Sequence, residues 1–159
     1  MFLSDDAQAA RAQGWRSLAA LHARLETQLE RALQSERGIG VSEYSVLDLL
    51  SRQDGWHMRM QQLANAVVLS QSATTRLVAR LEKQGYLQRY LCDTDRRGIY
   101  TEVTDAGRAL LDEARPTHDT ALREALADAA EIPELRPLVQ AVTQQDASTV
   151  PASEAVAGT

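Results

Sequence analysis

Residues 71–79 carry amide, hydroxyl and guanidinium groups at a spacing that would bring them together on a helix, because positions three and four apart share one face. The side chains on that face would be Gln71, Ser72, Thr75, Arg76 and Ala79. Small and hydrogen-bonding groups of this kind can donate to and accept from the edges of bases. A solvated helix face usually carries more Glu and Lys, so the pattern favours recognition of nucleic acid over a plain solvent-facing surface.

The opposite face of the same segment is apolar, which indicates that it packs against the rest of the protein. Its members are Ala73, Leu77, Val78 and Leu81. Ser70 is a favourable N-cap, Lys83 lies in the last turn, and Gly85 suits the C-cap. The sequence therefore predicts a helix over residues 70–85 with one buried side.

Further elements flank this helix on both sides. Residues 60–68 have the pattern of a shorter helix, followed by a short turn. Two strand-like runs, residues 87–92 and 99–104, stand on either side of a loop at residues 93–98. A helix-turn-helix followed by a hairpin is a winged helix, an architecture that places one helix in the DNA major groove.

The charge distribution agrees with this prediction. The chain carries a net charge of −5, yet residues 59–97 hold seven basic side chains against three acidic ones, a local charge of +4. The basic residues are Arg59, Arg76, Arg80, Lys83, Arg89, Arg96 and Arg97, and the acidic ones are Glu82, Asp93 and Asp95. A basic island in an acidic protein is a local electrostatic footprint for a polyanion.

Both ends of the chain carry apolar stripes typical of amphipathic helices. The first stripe, within residues 7–35, comprises Trp15, Leu18, His22, Leu25, Leu29 and Leu33, widened by Leu21 and Ala32. The second comprises Ile132, Leu135, Leu138, Val139 and Val142. So small a winged domain could not easily bury either stripe, so we expect the two stripes to bury each other across a dimer.

Capping and helix-breaking residues predict where the remaining helices begin and end. The glycines at Gly38 and Gly40 would end the first helix, and Ser42 would cap the second. Thr104 would cap the helix that follows the hairpin. Pro116 should kink or interrupt that helix, because proline lacks the N–H that the helix interior needs.

These features predict a mainly α fold, a winged helix-turn-helix with dimerisation helices at both ends of the chain. The expected parts are an N-terminal dimerisation helix at residues 1–40, a winged helix-turn-helix lobe at 41–107, C-terminal dimerisation helices at 108–145 and a disordered tail at 146–159. The sequence has no apolar run near 20 residues and no signal-peptide core. We therefore expect a cytoplasmic protein with no membrane association.

Three local patterns resemble the MarR family of bacterial transcriptional regulators, and the resemblance covers roughly residues 10–145. The patterns are residues 41–50 (VSEYSVLDLL), residues 69–85 (LSQSATTRLVARLEKQG) preceded by Leu63-Ala64, and residues 95–107 (DRRGIYTEVTDAG). The third is the wing signature of the family and the most specific of the three. Val103 departs from it, since leucine is commoner at that position.

The resemblance implies an obligate homodimer that binds a palindromic operator in double-stranded DNA with one winged helix from each subunit. It implies a transcriptional regulator, which we expect to be a repressor, whose DNA binding is relieved by a small aromatic or phenolic effector. Carried over by position, the residues that would face the major groove are Ser70, Gln71, Ser72, Thr75 and Arg76.

The resemblance also assigns the wing residues. Arg96 would sit at the wing tip and enter the minor groove, where a narrow, negative groove favours arginine. Asp95 and Arg97 would form a salt bridge that shapes the wing, because a nearby carboxylate can hold a flexible loop in one conformation.

Four residues are candidates for the effector pocket: Trp15, His22, Tyr44 and Trp56. The three large aromatics lie near the predicted junction of the two lobes and could form the walls of an aromatic-ligand site, although such residues are more often part of a core. His22 lies on the first apolar stripe, where a hydrogen-bonded interior histidine is the usual alternative.

The sequence indicates no catalytic centre, cofactor or metal site. The histidines His22, His57 and His118 are far apart and none has a metal-ligand spacing. No nucleophile–base pair, carboxylate pair or phosphate-binding glycine loop is visible. We therefore expect a protein that is not an enzyme.

Two alternatives stay open. Cys92, the single cysteine, ends the first wing strand beside Arg89 and Arg96, whose positive charges could favour a reactive thiolate and a redox-sensing regulator. A lone cysteine in a strand is more often a small packed hydrophobe. A winged helix can also serve as a protein–protein docking module, which salt dependence would distinguish from DNA binding.

Overall fold

The structure of the protein is a computed structural model. It describes residues 5–144, except for the side chains of residues 95–97. The predicted tail at 146–159 therefore lies outside the described residues. The elements in chain order are α1 (Asp5–Arg37), α2 (Val41–Ser51), a 3₁₀ turn (Asp54–Trp56), β1 (His57–Arg59), α3 (Met60–Ala66), α4 (Gln71–Lys83), β2 (Leu87–Cys92), β3 (Asp95–Val103), α5 (Asp105–Ala130) and α6 (Arg136–Thr143). The prediction of a mainly α fold with a winged helix-turn-helix is confirmed.

Helices α2, α3 and α4 and the three-stranded sheet form the winged lobe, which has its own core. The fully buried side chains of this core include Val46, Leu47, Leu50, Leu63, Val78 and Leu81, and Leu33 of α1 and Leu111 and Ala114 of α5 also belong to it. On α4 the buried face is made by Thr74, Leu77, Val78 and Leu81, so Thr74 takes the inward position that was predicted for Ala73. Thr74 can be buried because its hydroxyl donates to the Ser70 carbonyl oxygen at 3.0 Å.

Helices α1, α5 and α6 form the helical lobe. Helix α1 packs along α5, and its buried side is made by Ser17, Leu21, Leu29 and Leu33. The predicted stripe is therefore only partly correct, because Trp15 and Leu18 stay 70% and 49% exposed while Leu21, expected at its margin, is buried. Leu29 and Leu33 find their partners within the same chain.

At the junction between α1 and α2, the N-cap of α2 differs from the predicted one. Gly38, with a φ of 68°, follows the last residue of α1, as a helix exit with left-handed backbone requires. Helix α2 then begins at Val41, and its N-cap is Gly40 instead of Ser42. The reason is the Glu43 carboxylate, which reaches back and accepts the Gly40 N–H at 2.9 Å.

The sheet has the strand order β1-β3-β2, and both pairings are antiparallel. Strand β1 was not predicted, because it has three residues and depends on its pairing with β3. The predicted loop at residues 93–98 is wrong in its extent, since β3 already begins at Asp95 and leaves a two-residue turn. The pairing shifts between Leu91 and Cys92, which accommodates the extra residues of β3 at the wing tip.

Helix α5 joins the two lobes. The Thr104 hydroxyl accepts the Gly107 N–H at 3.1 Å, which confirms the predicted cap. Gly107 has no alternative at this position, because a Cβ there would overlap the carbonyl oxygen of Tyr86. Pro116 was predicted to kink or interrupt the helix, and the interruption is wrong, since α5 continues through Pro116 to Ala130. Ala114 and Thr117, on either side, are buried, so tertiary packing offsets the lost backbone hydrogen bond.

Two helix ends also differ from prediction by a few residues. Helix α4 ends at Lys83 with Gln84 as its C-cap, and Gly85 follows with a φ of 84°. Helix α6 begins at Arg136 instead of near Ile132, because Pro137 fits only the first turn of a helix. Leu135 still packs its side chain into the helical lobe.

Candidate nucleic-acid interface

The N-terminal end of α4 is held by hydrogen bonds that its own sequence supplies. The Ser70 hydroxyl accepts the Ala73 N–H at 3.2 Å, which makes it the N-cap as predicted. The Ser72 hydroxyl lies 3.3 Å from the Ser70 hydroxyl. The Thr75 hydroxyl donates to the Gln71 carbonyl oxygen at 2.9 Å. The polar groups at this end are thus locally ordered before any partner arrives.

The residues predicted for the major groove lie together on the exposed surface of α4. Ser70, Gln71, Ser72, Thr75 and Arg76 are all exposed. They occupy the first two turns of α4, where a recognition helix inserted by its N-terminal end would present donors and acceptors to base edges. The exposed face can therefore form hydrogen bonds with a polar surface while the buried face holds the helix in place.

Arg80 and Arg89 of the basic island form ion pairs within the protein. The Arg80 Nε lies 2.8 Å from an oxygen of Glu43, and the Arg89 Nε lies 2.7 Å from an oxygen of Glu82. Glu43 lies outside residues 59–97, and its negative charge was therefore not counted. The net positive charge of this surface is accordingly smaller than the +4 counted from the sequence. The sequence missed these pairings, because they join residues on different elements.

The wing lies beside α4 as a β-hairpin. Asp95 pairs with Cys92 in the ladder, so residues 95–97 lie at the tip of the hairpin. The predicted roles of Asp95, Arg96 and Arg97 concern side chains outside those described. Cys92 is half-buried, and its sulfur lies 3.1 Å from the Thr94 hydroxyl.

The outer face of the sheet carries a polar aromatic cluster that sequence reasoning missed. The Tyr90 hydroxyl lies 2.8 Å from Nδ1 of His57, and the Tyr90 and Tyr100 rings stack with centroids 5.7 Å apart. The Arg59 Nε donates to the Tyr100 hydroxyl at 2.9 Å. The cluster ties β1 and β2 across β3. Recognition of β1 would have been needed to find it, since His57 and Arg59 join the face only through that strand.

A cavity of about 530 Å³ lies between the two lobes. Its walls come from α1, α2, the turn after α3 and α5. Of the four residues proposed for an effector pocket, His22 and Tyr44 line this cavity. Trp15 lies elsewhere on the exposed surface of α1. Trp56 packs against the winged core, with the Arg108 guanidinium 4.4 Å from its ring centroid.

The cavity contains a histidine that the sequence did not single out. His118 stacks on Tyr44, with ring centroids 4.2 Å apart and an interplanar angle of 12°. Burial lowers the pKa of His118, although Asp48 and Asp119 act in the opposite direction. Burial likewise raises the pKa of Tyr44, which keeps its phenol protonated. A neutral imidazole on a neutral phenol makes one wall a flat, largely uncharged surface.

The signal for His118 was present in the spacing of α5. Ala114, Thr117 and Ala121 are buried and recur three and four residues apart, so His118 lies beside the stripe that faces the protein. That stripe is visible only if the helix continues through Pro116. A break in the pattern at Pro116 hides this stripe, and with it His118.

The cavity wall also carries charged groups. Asp48 lies 3.0 Å from Arg52 and 3.6 Å from Arg115, so its charge is matched by two guanidinium groups. His22 lies 3.2 Å from Glu26 on α1. The cavity thus combines a flat aromatic wall with charged groups that can accept or donate hydrogen bonds, as sites for small aromatic molecules do.

Residues 5–94 and 98–144 contain no cluster of His, Cys, Asp or Glu that could hold a metal ion. Over the same residues, no helix is both long and apolar enough to cross a membrane.

Comparison with known proteins identifies the family. The sequence model of the MarR family matches residues 37–98, which contain α2, α3, α4 and the first part of the wing. The structure of Sco3205, a MarR family transcriptional regulator from Streptomyces coelicolor in complex with DNA, matches with a TM-score of 0.70. The two proteins are 31% identical, and the match covers 99% of this chain and 96% of Sco3205. This chain belongs to the MarR family.

Other similar proteins show how far the likeness extends. AbsC, also from Streptomyces coelicolor, matches with a TM-score of 0.69 and 30% identity over 89% of this chain and 93% of AbsC. The HTH-type transcriptional regulator YkoM of Bacillus subtilis (strain 168) is 32% identical over 83 residues, 52% of this chain. The aligned stretch spans about half the length of YkoM, 53%. The structural likeness to the MarR family thus includes both lobes.

Proposed function

We propose that this MarR-family chain is a DNA-binding transcriptional repressor that acts as a homodimer on a palindromic operator. The observation that carries the proposal is the exposed polar face of α4 beside the wing, in a chain similar over its length to Sco3205, which is seen with DNA. A two-fold axis would set two such helices in successive major grooves, roughly 34 Å apart.

The proposal gives each part of the interface a role. The major-groove contacts are assigned to Ser70, Gln71, Ser72, Thr75 and Arg76. Arg96 contacts the minor groove, and a salt bridge between Asp95 and Arg97 shapes the wing. Arginine suits a narrow minor groove because the negative potential there is enhanced.

The homodimer is assigned to the helical lobe, within residues 1–40 and 108–145, while residues 41–107 bind DNA. Support comes from Trp15, Leu18 and Val142, which are large exposed apolar residues on α1 and α6. Exposed apolar area of this kind is removed from water when two subunits associate.

The cavity between the lobes is assigned to a small aromatic or phenolic effector that relieves DNA binding. Its stacked Tyr44 and His118 rings offer a flat wall to such a ligand. The cavity touches α1, α2, α5 and the turn before α4, so a ligand there would contact both lobes. It would shift the dimer only by its difference in affinity for the DNA-bound and free conformations.

Selection of bound duplexes from a random-sequence pool tests the DNA-binding proposal. The bound duplexes should share an inverted repeat whose half-sites lie about 10 base pairs apart. Affinity for that repeat should fall by roughly a thousandfold or more between 50 and 200 mM salt, because phosphate contacts release counterions. Recovery of no shared repeat, with binding that salt does not change, would contradict the proposal.

A panel of small phenols and benzoates tests the effector assignment. A compound that fits the cavity should raise the thermal stability of the protein and release the selected duplex. Ser45→Trp places bulk on the cavity wall at an exposed position of α2, so it should abolish both responses and leave DNA affinity unchanged. Release of DNA from this variant at the same ligand concentration would place the effector elsewhere.

One observation favours a second candidate function, docking to another protein. Leu91 and Ile99 pair across the wing and are 63% and 49% exposed. An interface dominated by such apolar burial would keep its affinity as salt rises, whereas DNA binding would lose it. The salt titration above therefore decides between the two functions.

A further inference from the structure

The Glu43 carboxylate is buried and both of its oxygens are engaged, each by a different part of the protein. Glu43 is only 7% exposed, in the first turn of α2. One oxygen accepts the Gly40 N–H at 2.9 Å, and the other lies 2.8 Å from the Arg80 Nε. A buried carboxylate is costly to place unless both oxygens are satisfied, so the position of this side chain is closely defined.

The Gly40 contact holds Glu43 at the junction between α1 and α2, where Gly40 is the N-cap of α2. The next backbone N–H, that of Val41, donates to the Glu30 carboxylate of α1 at 2.8 Å. A Cβ at Gly40 would approach the two Glu30 oxygens to 3.1 and 3.2 Å, so the glycine lets the helices come this close. Two carboxylates thus hold the α1–α2 junction, one from each helix.

The Arg80 contact ties the same carboxylate to the recognition helix. Arg80 lies one helical turn after Arg76, which we assign to the DNA interface. Its side chain is 60% exposed, yet its guanidinium is held against α2 by Glu43. The positive charge of Arg80 is therefore already balanced by the Glu43 carboxylate and does not need a DNA phosphate to neutralise it.

We infer that Glu43 and Arg80 are positioning residues that fix the recognition helix α4 to the α1–α2 junction and thereby set the angle at which α4 meets the operator. The inference rests on the proposed DNA-binding function. It also means that a displacement of α1, in the helical lobe, reaches α4 through a short series of polar contacts from Glu30 to Arg80.

The variants Glu43→Gln and Arg80→Gln test this role by fluorescence anisotropy. Each is titrated with the duplex recovered by selection and with a scrambled duplex of equal length, over a range of salt. Glutamine at position 43 can still accept the Gly40 N–H, but it offers its amide NH₂ to Arg80 in place of an oxygen. Arg80→Gln changes an exposed side chain but removes the charged partner of one Glu43 oxygen, so thermal unfolding must first show that the variant is folded.

Both variants should lose roughly tenfold in affinity for the selected duplex and at most about twofold for the scrambled one. The slope of log affinity against log salt should stay that of the wild type, since no phosphate contact is lost. The double variant should lose no more than either single variant, because the two residues act as one pair. Arg80→Lys should recover most of the affinity, since an ammonium can still pair with Glu43.

Lys83→Gln is the matched control, because it removes one positive charge from the exposed surface of the same helix. It should affect the two duplexes equally. The sign for Glu43→Gln is decisive, since simple electrostatics expects the loss of a negative charge near DNA to tighten binding to both duplexes.

Tighter binding of Glu43→Gln to both duplexes would overturn the inference. Additive losses of affinity in the double variant would also overturn it. A third contrary result would be an Arg80→Gln variant that binds both duplexes equally more weakly, with a salt slope reduced by about one ion per subunit, because Arg80 would then be a phosphate contact. A wild type that does not distinguish the two duplexes would instead overturn the proposed function, and the positioning role with it.

Discussion

The winged lobe and the helical lobe differ in the size of the apolar core that one chain builds in each of them. The winged lobe encloses a core of buried side chains contributed by α1, α2, α3, α4, α5 and the sheet. The helical lobe has a smaller cluster, made by Leu21, Leu126, Ala129, Leu135 and Val139. Trp15, Leu18 and Val142 remain exposed in the helical lobe.

The stability of the winged lobe should therefore come from a single subunit, whereas part of the stability of the helical lobe would come from association. Burial of apolar area is the main favourable contribution to both folding and association. The core of the winged lobe is buried within one chain, although Val68, Leu69, Leu91 and Ile99 stay exposed on its surface. In the helical lobe burial would be completed by a second copy, so its stability should depend on protein concentration.

The largest effect is expected in the winged core. Leu50→Ala should lower the free energy of unfolding by about 2–5 kcal/mol, because a fully buried leucine leaves a cavity when it is truncated. Urea unfolding would measure it, with Val68→Ala as the control, since Val68 is fully exposed in the same lobe. The loss should be the same at every protein concentration. A cost below about 1 kcal/mol would show that this core is not closely packed.

The next effect is expected at the exposed surface of the helical lobe. Replacing Trp15 and Leu18 together with Asp should weaken self-association by about 2–4 kcal/mol, because both would lose apolar burial at the proposed interface. Sedimentation equilibrium over a range of concentrations would measure it. Leu91→Asp, on the exposed wing, should leave association unchanged. A variant dimer as tight as the wild type would place the interface elsewhere.

The wing arginines should separate direct contact from loop shaping. Arg96→Ala should weaken operator binding by roughly 1–2 kcal/mol and flatten the salt dependence by about one ion per subunit, with thermal stability nearly unchanged. Arg97→Ala should also weaken binding, because Asp95 would lose its partner and the wing its shape. Anisotropy titrations with the selected duplex would measure both variants.

The direction in which Asp95→Ala changes operator affinity is the critical test of the proposed salt bridge in the wing. It should largely reproduce the defect of Arg97→Ala even though it removes a negative charge near DNA. Tighter operator binding by this variant would show that Asp95 is only a surface charge and that the proposed salt bridge is wrong.

A smaller effect is expected from His118 as the pH falls. Burial lowers the pKa of His118 below its ordinary value of 6.5, so the folded protein resists a proton that the unfolded chain accepts. The contribution of the neutral imidazole is complete above about pH 6.5 and is lost as the pH falls from there through the lowered pKa.

Thermal unfolding from pH 7.5 to 5 would measure this loss. His118→Phe keeps a ring against Tyr44 but has no proton to gain, so its melting temperature should fall less on acidification. An identical fall in the two proteins would assign the pH dependence to other groups.

The smallest effect is expected at Cys92. Cys92→Ser should keep operator binding and its response to the effector, because one half-buried cysteine in a strand is usually a packing residue. Peroxide that releases the wild type from DNA but not the variant would establish the alternative, a redox switch.

The sequence was sufficient wherever the structure depends on neighbours a few residues apart. The caps at Ser70 and Thr104 and the polar face of α4 follow from groups within one or two helical turns. The two-sided pattern of α4 also locates its buried face, apart from the exchange of Ala73 for Thr74. These features require no knowledge of what the helix packs against.

Features that depend on distant segments were missed or placed wrongly. Strand β1 exists because β3 pairs with it, and α5 continues through Pro116 because buried neighbours on both sides hold it. Trp15 and Tyr44 are both aromatic residues of amphipathic helices, yet one is exposed and the other lines the cavity.

What the sequence determined by itself is therefore the set of elements and the chemistry each one carries on its surface. Only the tertiary structure decided that Arg80 pairs with Glu43, and that His118 stacks on Tyr44 to build the cavity wall. The physical reason is that helix caps and amphipathic patterns arise from short-range geometry, which repeats at known spacings. Ion pairs and cavities between elements depend on how those elements pack, which no local spacing records.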